Sequence, residues 1–383
     1  MSTTTIEPTL HAVIAQAAAR IAVPRRSPAD SFVLHAPLEL LGRAGLLPFV
    51  HDGARAEALD RIQQLADDYE AADDPVGPPV DASFEDPSAA TARLIAAIEA
   101  GDLDEVDTIA TWLGDHSSHH ELRGLLGEYV VPSLAAAGHA PIALSLLPRV
   151  ADGRLPATLL RGPLREIARH PGWRLTWFES TQPTTRDATH EAAAPLSLFD
   201  ALATVPRLGI PGNAFIHPLM SQVEQSGVAE RLLAPVIGDR CDVTAARHTL
   251  ARVAAWSMIN DDPAHAAYGW SHCLTMPSAV MDLVGLGVST RTGLAVAATH
   301  VAGFRAALSN VELAEPGLDA GALRAEPEVR DLATFAALHH DAHLVKYTLA
   351  CLHAAADDVA MRPLYLLAAQ HLADWWRANP DAA

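Results

Sequence analysis

Nineteen histidines in 383 residues are a large supply of imidazole, the commonest metal-ligating side chain. Four of them sit inside apolar stretches: His35 in SFVLHAPLELLGRAGLL, His217 in NAFIHPLMSQVE, His272 in AAYGWSHCLTMPSAV and His343 in HDAHLVKYTLAC. An imidazole in an apolar wall needs a partner for each ring nitrogen. A metal can satisfy one nitrogen provided the second finds a partner. One such histidine is ordinarily a hydrogen-bonded core residue, but four in one chain point to a shared site. The cluster HSSHH (116–120) reads instead as a solvated helix start. His51, His139, His170, His190 and His371 lie in polar or turn contexts and read as ordinary residues.

Lys346 adds a fifth group. It is the only lysine in a chain with 27 basic residues. Arginine can replace a lysine that supplies only charge, but not one whose primary amine reacts. The positions three and four residues either side hold His343, Ala342, Leu349 and Ala350, so no helical ion pair explains it. Written on one helix, His339, His343, Lys346, Ala350 and His353 fall along a single face. Burial favours the neutral amine because the ammonium loses its hydration. A neutral amine can act as a base, form a Schiff base, or take up carbon dioxide to give a carbamate, which is an anionic oxygen ligand. Several imidazoles with one anionic oxygen suit Fe, Zn, Cu or Ni. The zinc signature HExxH is absent, as is the histidine–acid–histidine pattern of facial-triad iron enzymes.

The elements that must position these groups read as helices. Half the residues are hydrophobic and only 5% are aromatic, with alanine and leucine dominant, a bias toward helix over strand. In 53–70 the residues Leu59, Ile62, Ala66 and Tyr69 share a face. Helical pattern continues over 90–113, over 119–170 with interruptions, and in short runs from 197 onward, among them 243–259, 263–272 and 329–354. Proline-rich 71–88 and polar 179–194 read as surface loops. No alternating strand–helix units appear, which speaks against a dinucleotide fold. The expectation is one all-α domain over 1–383, built of short helices with proline-rich connections.

The net charge of −19 argues against nucleic acid and anionic membranes as partners. Cys241, Cys273 and Cys351 are far apart, which suits a reducing compartment rather than a disulfide framework. With no apolar run of 18 residues and no convincing signal peptide, the expectation is a cytoplasmic protein.

Four motifs in order, FVLHAPLELLGRAG, FIHPLM, GWSHCLTMP and DAHLVKYTLAC, span residues 32–351. Together they resemble the questin oxidase-like family of helical proteins. The resemblance implies a non-haem Fe(II) oxygenase that uses O2 on a small aromatic polyketide, an anthraquinone-like phenol, with C–C cleavage and ring opening. It further implies iron held by four histidines and a carboxylated lysine: His35, His217, His272, His343 and Lys346, with His265 and His340 as rivals. The sequence departs from the family pattern at Leu34, where Asn often stands. Phe215, Tyr268 and Trp270 neighbour these positions and are candidate pocket walls. No flavin or nicotinamide fingerprint is present, so reducing equivalents would come from an external donor such as NADPH. Two other readings stay open: a metal-dependent hydrolase with a carboxylated lysine, and a non-catalytic helical binding protein. Oligomeric state is not legible in the sequence.

Overall fold

The computed structural model describes residues 8–151, 155–179, 197–209, 216–238, 241–314 and 327–382. Among them are seventeen α-helices and no β-strand, the all-α class expected from composition. They are α1 (Pro8–Ile21), α2 (Ser31–Leu46), α3 (Arg55–Ala72), α4 (Pro87–Ala100), α5 (Leu103–His116), α6 (His119–Val130), α7 (Ala140–Ala151), α8 (Arg161–Arg169), α9 (Leu198–Ala203), α10 (Ile216–Gln225), α11 (Val228–Leu233), α12 (Val243–Asn260), α13 (Ser271–Leu283), α14 (Thr290–Leu308), α15 (Val329–Leu338), α16 (Ala342–Asp357) and α17 (Arg362–Ala378). No described helix is long and apolar enough to cross a membrane.

Short polar residues start many of these helices. Asp30, Asp86, Asp102, Ser118, Asp242, Ser289 and Asp341 each accept a hydrogen bond from a backbone N–H of the first turn. Each such cap is worth about 1 kcal/mol. Helix α3 buries Ile62, Ala66 and Tyr69 on the face expected, with Leu59 half-buried beside them. The 71–88 loop lies between α3 and α4, where its backbone is pinned to residues 24–26 through Arg26 and Val76. Most of 179–194 lies outside the described residues.

Helices α13 and α14 are buried on nearly every face, as expected for helices at the centre of the fold. Helix α13 packs on α14, α12, α7 and α16, and α16 packs on α17 and α2. The two helices carrying His272 and His343–Lys346 are therefore neighbours in the interior. The expected run 329–354 divides in two. Helical continuity is broken at His339, whose backbone is extended, and Asp341 caps a new helix. His339 thus belongs to the end of α15 and does not share the α16 face.

Candidate metal centre

Each histidine of the centre is delivered by a recognisable local device. On α2, His35 Nδ1 lies 2.5 Å from the Ser31 carbonyl one turn earlier. On α13, His272 Nδ1 lies 2.7 Å from the Tyr268 carbonyl, which belongs to the π-helical turn Ala266–Trp270 leading into that helix. π-Turns occur often at functional sites. At the start of α16, His343 Nδ1 lies 3.3 Å from the Asp341 carboxylate. A carbonyl or carboxylate at Nδ1 places the proton there and leaves Nε2 with its lone pair, the tautomer a metal requires.

The fourth histidine is His139, whose sequence context reads as ordinary. Ala136, Ala137 and Gly138 all have positive φ (51°, 50° and 67°), forming a left-handed turn that aims His139 inward. Left-handed alanines cost about 1–2 kcal/mol each, and such strain persists where the surroundings impose it. His139 is 1% exposed. Its ring centroid lies 4.5 Å from that of His35 and 5.8 Å from that of His272. The His343 ring lies 4.4 Å from His35 and 4.8 Å from His272. The signal that selected the other histidines was present here too, because His139 sits in LAAAGHAPIAL.

His217 does not join the four. Its ring stacks at 4.0 Å on Trp173, which stacks in turn on His170. The structure thus brings His139, and not the expected His217, together with His35, His272 and His343. The rivals also lie elsewhere. His265 ends a 3-10 turn ahead of the π-turn, and His340 is exposed and stacks on His339. Phe215 lies outside the described residues.

Lys346 is 3% exposed on the second turn of α16. Its ammonium charge would act on all four imidazoles. Burial pushes the amine down to about 7, against the pull of Asp341 and Glu39. Burial is also the main cause holding His35, His139 and His272 well below the usual imidazole range, and His343 below it as well. The imidazoles of this centre are therefore neutral donors at pH 7. Glu39 and Arg43 are buried together on α2, and Arg43 also donates to the carbonyls of Ala337 and His339. That clamp fixes α2 against the end of α15, just ahead of His343.

Nε2 of His35, both nitrogens of His139, Nε2 of His343 and Nζ of Lys346 are buried with no hydrogen-bond partner among the described residues. Buried polar atoms of this kind are costly unless something satisfies them. Ligand nitrogens of His35, His139 and His272 lie within 4.8 Å of one another. Two nitrogens on opposite sides of one ion at about 2.1 Å each would be about 4.2 Å apart, so small rotations of these rings would close the set. The donor chemistry fits a single imidazole-bound transition metal.

A cavity of about 420 Å³ reaches Lys346. Its walls come from α7, α12, α13, α16 and α17, and include Ile142, Leu146, Ala279, Ala350 and Tyr365. Lys346 marks its closed end, and the half-exposed Asp357 marks its mouth. The expected pocket walls are elsewhere. Trp270 is fully buried in the core, and Tyr268 is 40% exposed with its ring edge-on to His343. No family model matches the chain, and no curated protein or solved structure matches it.

Proposed function

We propose that the chain is a non-haem iron-dependent oxygenase, with His35, His139, His272, His343 and Lys346 as its metal-binding set. The observation that carries the metal is the convergence of buried nitrogens without partners, three imidazoles of the set having Nδ1 held by an oxygen. The substrate class, an aromatic polyketide, rests on the resemblance of the four motifs. A 420 Å³ cavity with largely apolar walls, ending at Lys346, is of the right kind for a small aromatic molecule.

Ferrous iron, when bound, would supply the redox and Lewis-acid chemistry for O2 and a phenol. The chain's own groups hold the remaining roles. The imidazoles stay neutral through burial and present lone pairs. The Lys346 amine, close to neutral and buried, is suited to carbamate formation, which would add an anionic oxygen to the set. The apolar walls exclude water from the reacting end.

A hydrolase built on two ions bridged by the lysine fits less well. The buried carboxylate Glu39 is committed to Arg43, and Asp341 is committed to the α16 cap and to His343. The decisive experiment is metal analysis after anaerobic loading with Fe(II), followed by O2 uptake with hydroxylated anthraquinones. About one iron per chain is expected, with occupancy lost in Lys346→Arg. A chain that takes up no metal would sink both enzyme readings and leave the binding protein.

A further inference from the structure

The face of α16 that carries Lys346 continues as Ala350, His353, Ala354 and Asp357, all lining the cavity. Seven residues of helix separate Lys346 from His353, a rise of about 10 Å. The cavity therefore has a closed end at Lys346 and a polar outer end at His353.

The outer end is wired in a specific way. Arg149 lies with Nη1 3.0 Å from His353 Nδ1 and Nη2 2.6 Å from Asp282 Oδ1. A guanidinium only donates, so His353 Nδ1 must accept and the ring proton must sit on Nε2. Burial, with Arg149 adding to it, pushes the imidazole down to about 4. It is thus too weak a base to collect a proton from a phenol near neutral pH, and what it offers is an N–H.

The charges at this end are paired. Arg149 and Arg247 share Asp282, Arg252 pairs with Asp358, and Asp357 lies 3.9 Å from Arg247. Of the groups that line the cavity, two guanidiniums, Arg149 and Arg247, face three carboxylates, Asp282, Asp357 and Asp358, while Arg123 lies outside the lining and donates to the Asp282 backbone carbonyl, so the rim gives an anionic group little preference over a neutral one. Tyr365 does not add a free donor, because its hydroxyl is given to Asp358.

We propose that His353 is a specificity-determining residue, whose Nε2–H donates to a neutral carbonyl-type oxygen at the outer end of a ligand reaching to Lys346. Arg149 is the positioning residue that fixes the tautomer. This rests on the reading of the cavity as the substrate space, but it does not require the metal.

The test uses a fluorescent pair. Acedan, an acetyl dimethylaminonaphthalene, carries a carbonyl whose emission moves to the red when it accepts a hydrogen bond; its ethyl counterpart lacks the carbonyl. The wild-type chain is expected to bind acedan more tightly than the counterpart. His353→Leu should weaken acedan about tenfold, the loss of one hydrogen bond, and shift its bound emission to the blue. The same variant should leave the counterpart's affinity and the iron content unchanged. His353→Gln, which keeps a donor, should retain most of the preference. Arg149→Met should reduce it, and Arg149→Lys should restore it. Failure of acedan to bind the wild-type chain, equal affinity for the two probes, or an equal loss of both in His353→Leu would each overturn the proposal. A wild-type chain that takes up no iron yet discriminates between the probes would support it while removing the oxygenase reading.

Discussion

Gly42 of α2 faces Val345 of α16 so closely that a Cβ on the glycine would stand 2.8 Å from Val345 Cγ1. The backbone of Lys346 lies just behind, at 3.7–3.8 Å. This approach sets the separation between the helix carrying His35 and the helix carrying His343 and Lys346. Overpacking of this kind costs typically about 1–3 kcal/mol, and relief comes from the Val345 side chain leaving its rotamer, which is stiff in a helix, or from the two helices parting. Gly42→Ala is expected to lower the urea midpoint and to weaken iron binding together. Wild-type iron affinity in the Gly42→Ala variant would show that the approach does not position the site.

Lys346 is a stability liability that the proposed metal would justify. Its folded value, about 7, lies below the free-lysine value of 10.5. The sign follows from linkage: the unfolded chain binds the extra proton between these values, so the penalty is full below pH 7 and fades as pH rises toward 10.5. In metal-free, bicarbonate-free protein, Lys346→Met should therefore be more stable than wild type at pH 7, by about 2–4 kcal/mol. The gap should narrow steadily by pH 9.5. Equal urea midpoints at both pH values would mean that the amine is solvated or paired.

A related effect acts on the acid side. His300 is buried in α14 and pushed down to about 4 by burial. A histidine that folds neutral adds nothing above pH 6.5 and penalises the fold progressively as pH falls from 6.5 to 4. The imidazoles of the centre act in the same direction. Metal-free protein should lose stability steeply over that window, measured by urea midpoints at half-unit pH steps. His300→Leu should flatten the slope by about one proton. An unchanged slope would place a proton on His300 in the folded state.

The helical class, the inward turn of α3 and the pairing of His343 with Lys346 were legible because they follow from periodicity and composition. His35 and His272 were legible for a related reason, as polar rings inside apolar helices. Two features were not, and a third was so only in part. The break between α15 and α16 depends on Asp341 capping a helix inside what reads as one continuous apolar pattern. The cavity walls depend on which helices meet, and α7, the consecutive pair α12 and α13, and the pair α16 and α17 come from three separate parts of the chain. The place of His139 was legible only in part: it sits in the apolar stretch LAAAGHAPIAL, but nothing in an alanine's identity announces the left-handed turn that aims it inward.

The place of His139 is the most exposed part of the site. Gly138 has φ of 67°, and a Cβ there would stand 2.2 Å from the Met276 terminal methyl. Gly138→Ala therefore meets a contact that the flexible Met276 side chain must give way to and, decisively, a backbone penalty that is relieved only by moving the left-handed turn ahead of His139. Iron occupancy should fall sharply in Gly138→Ala and in His139→Ala, with circular dichroism still helical. His217→Ala should keep its iron, because that ring only stacks on Trp173 at the surface of α10. The opposite pattern, with iron lost in His217→Ala and kept in His139→Ala, would restore the ligand set that the four motifs imply and remove His139 from the centre.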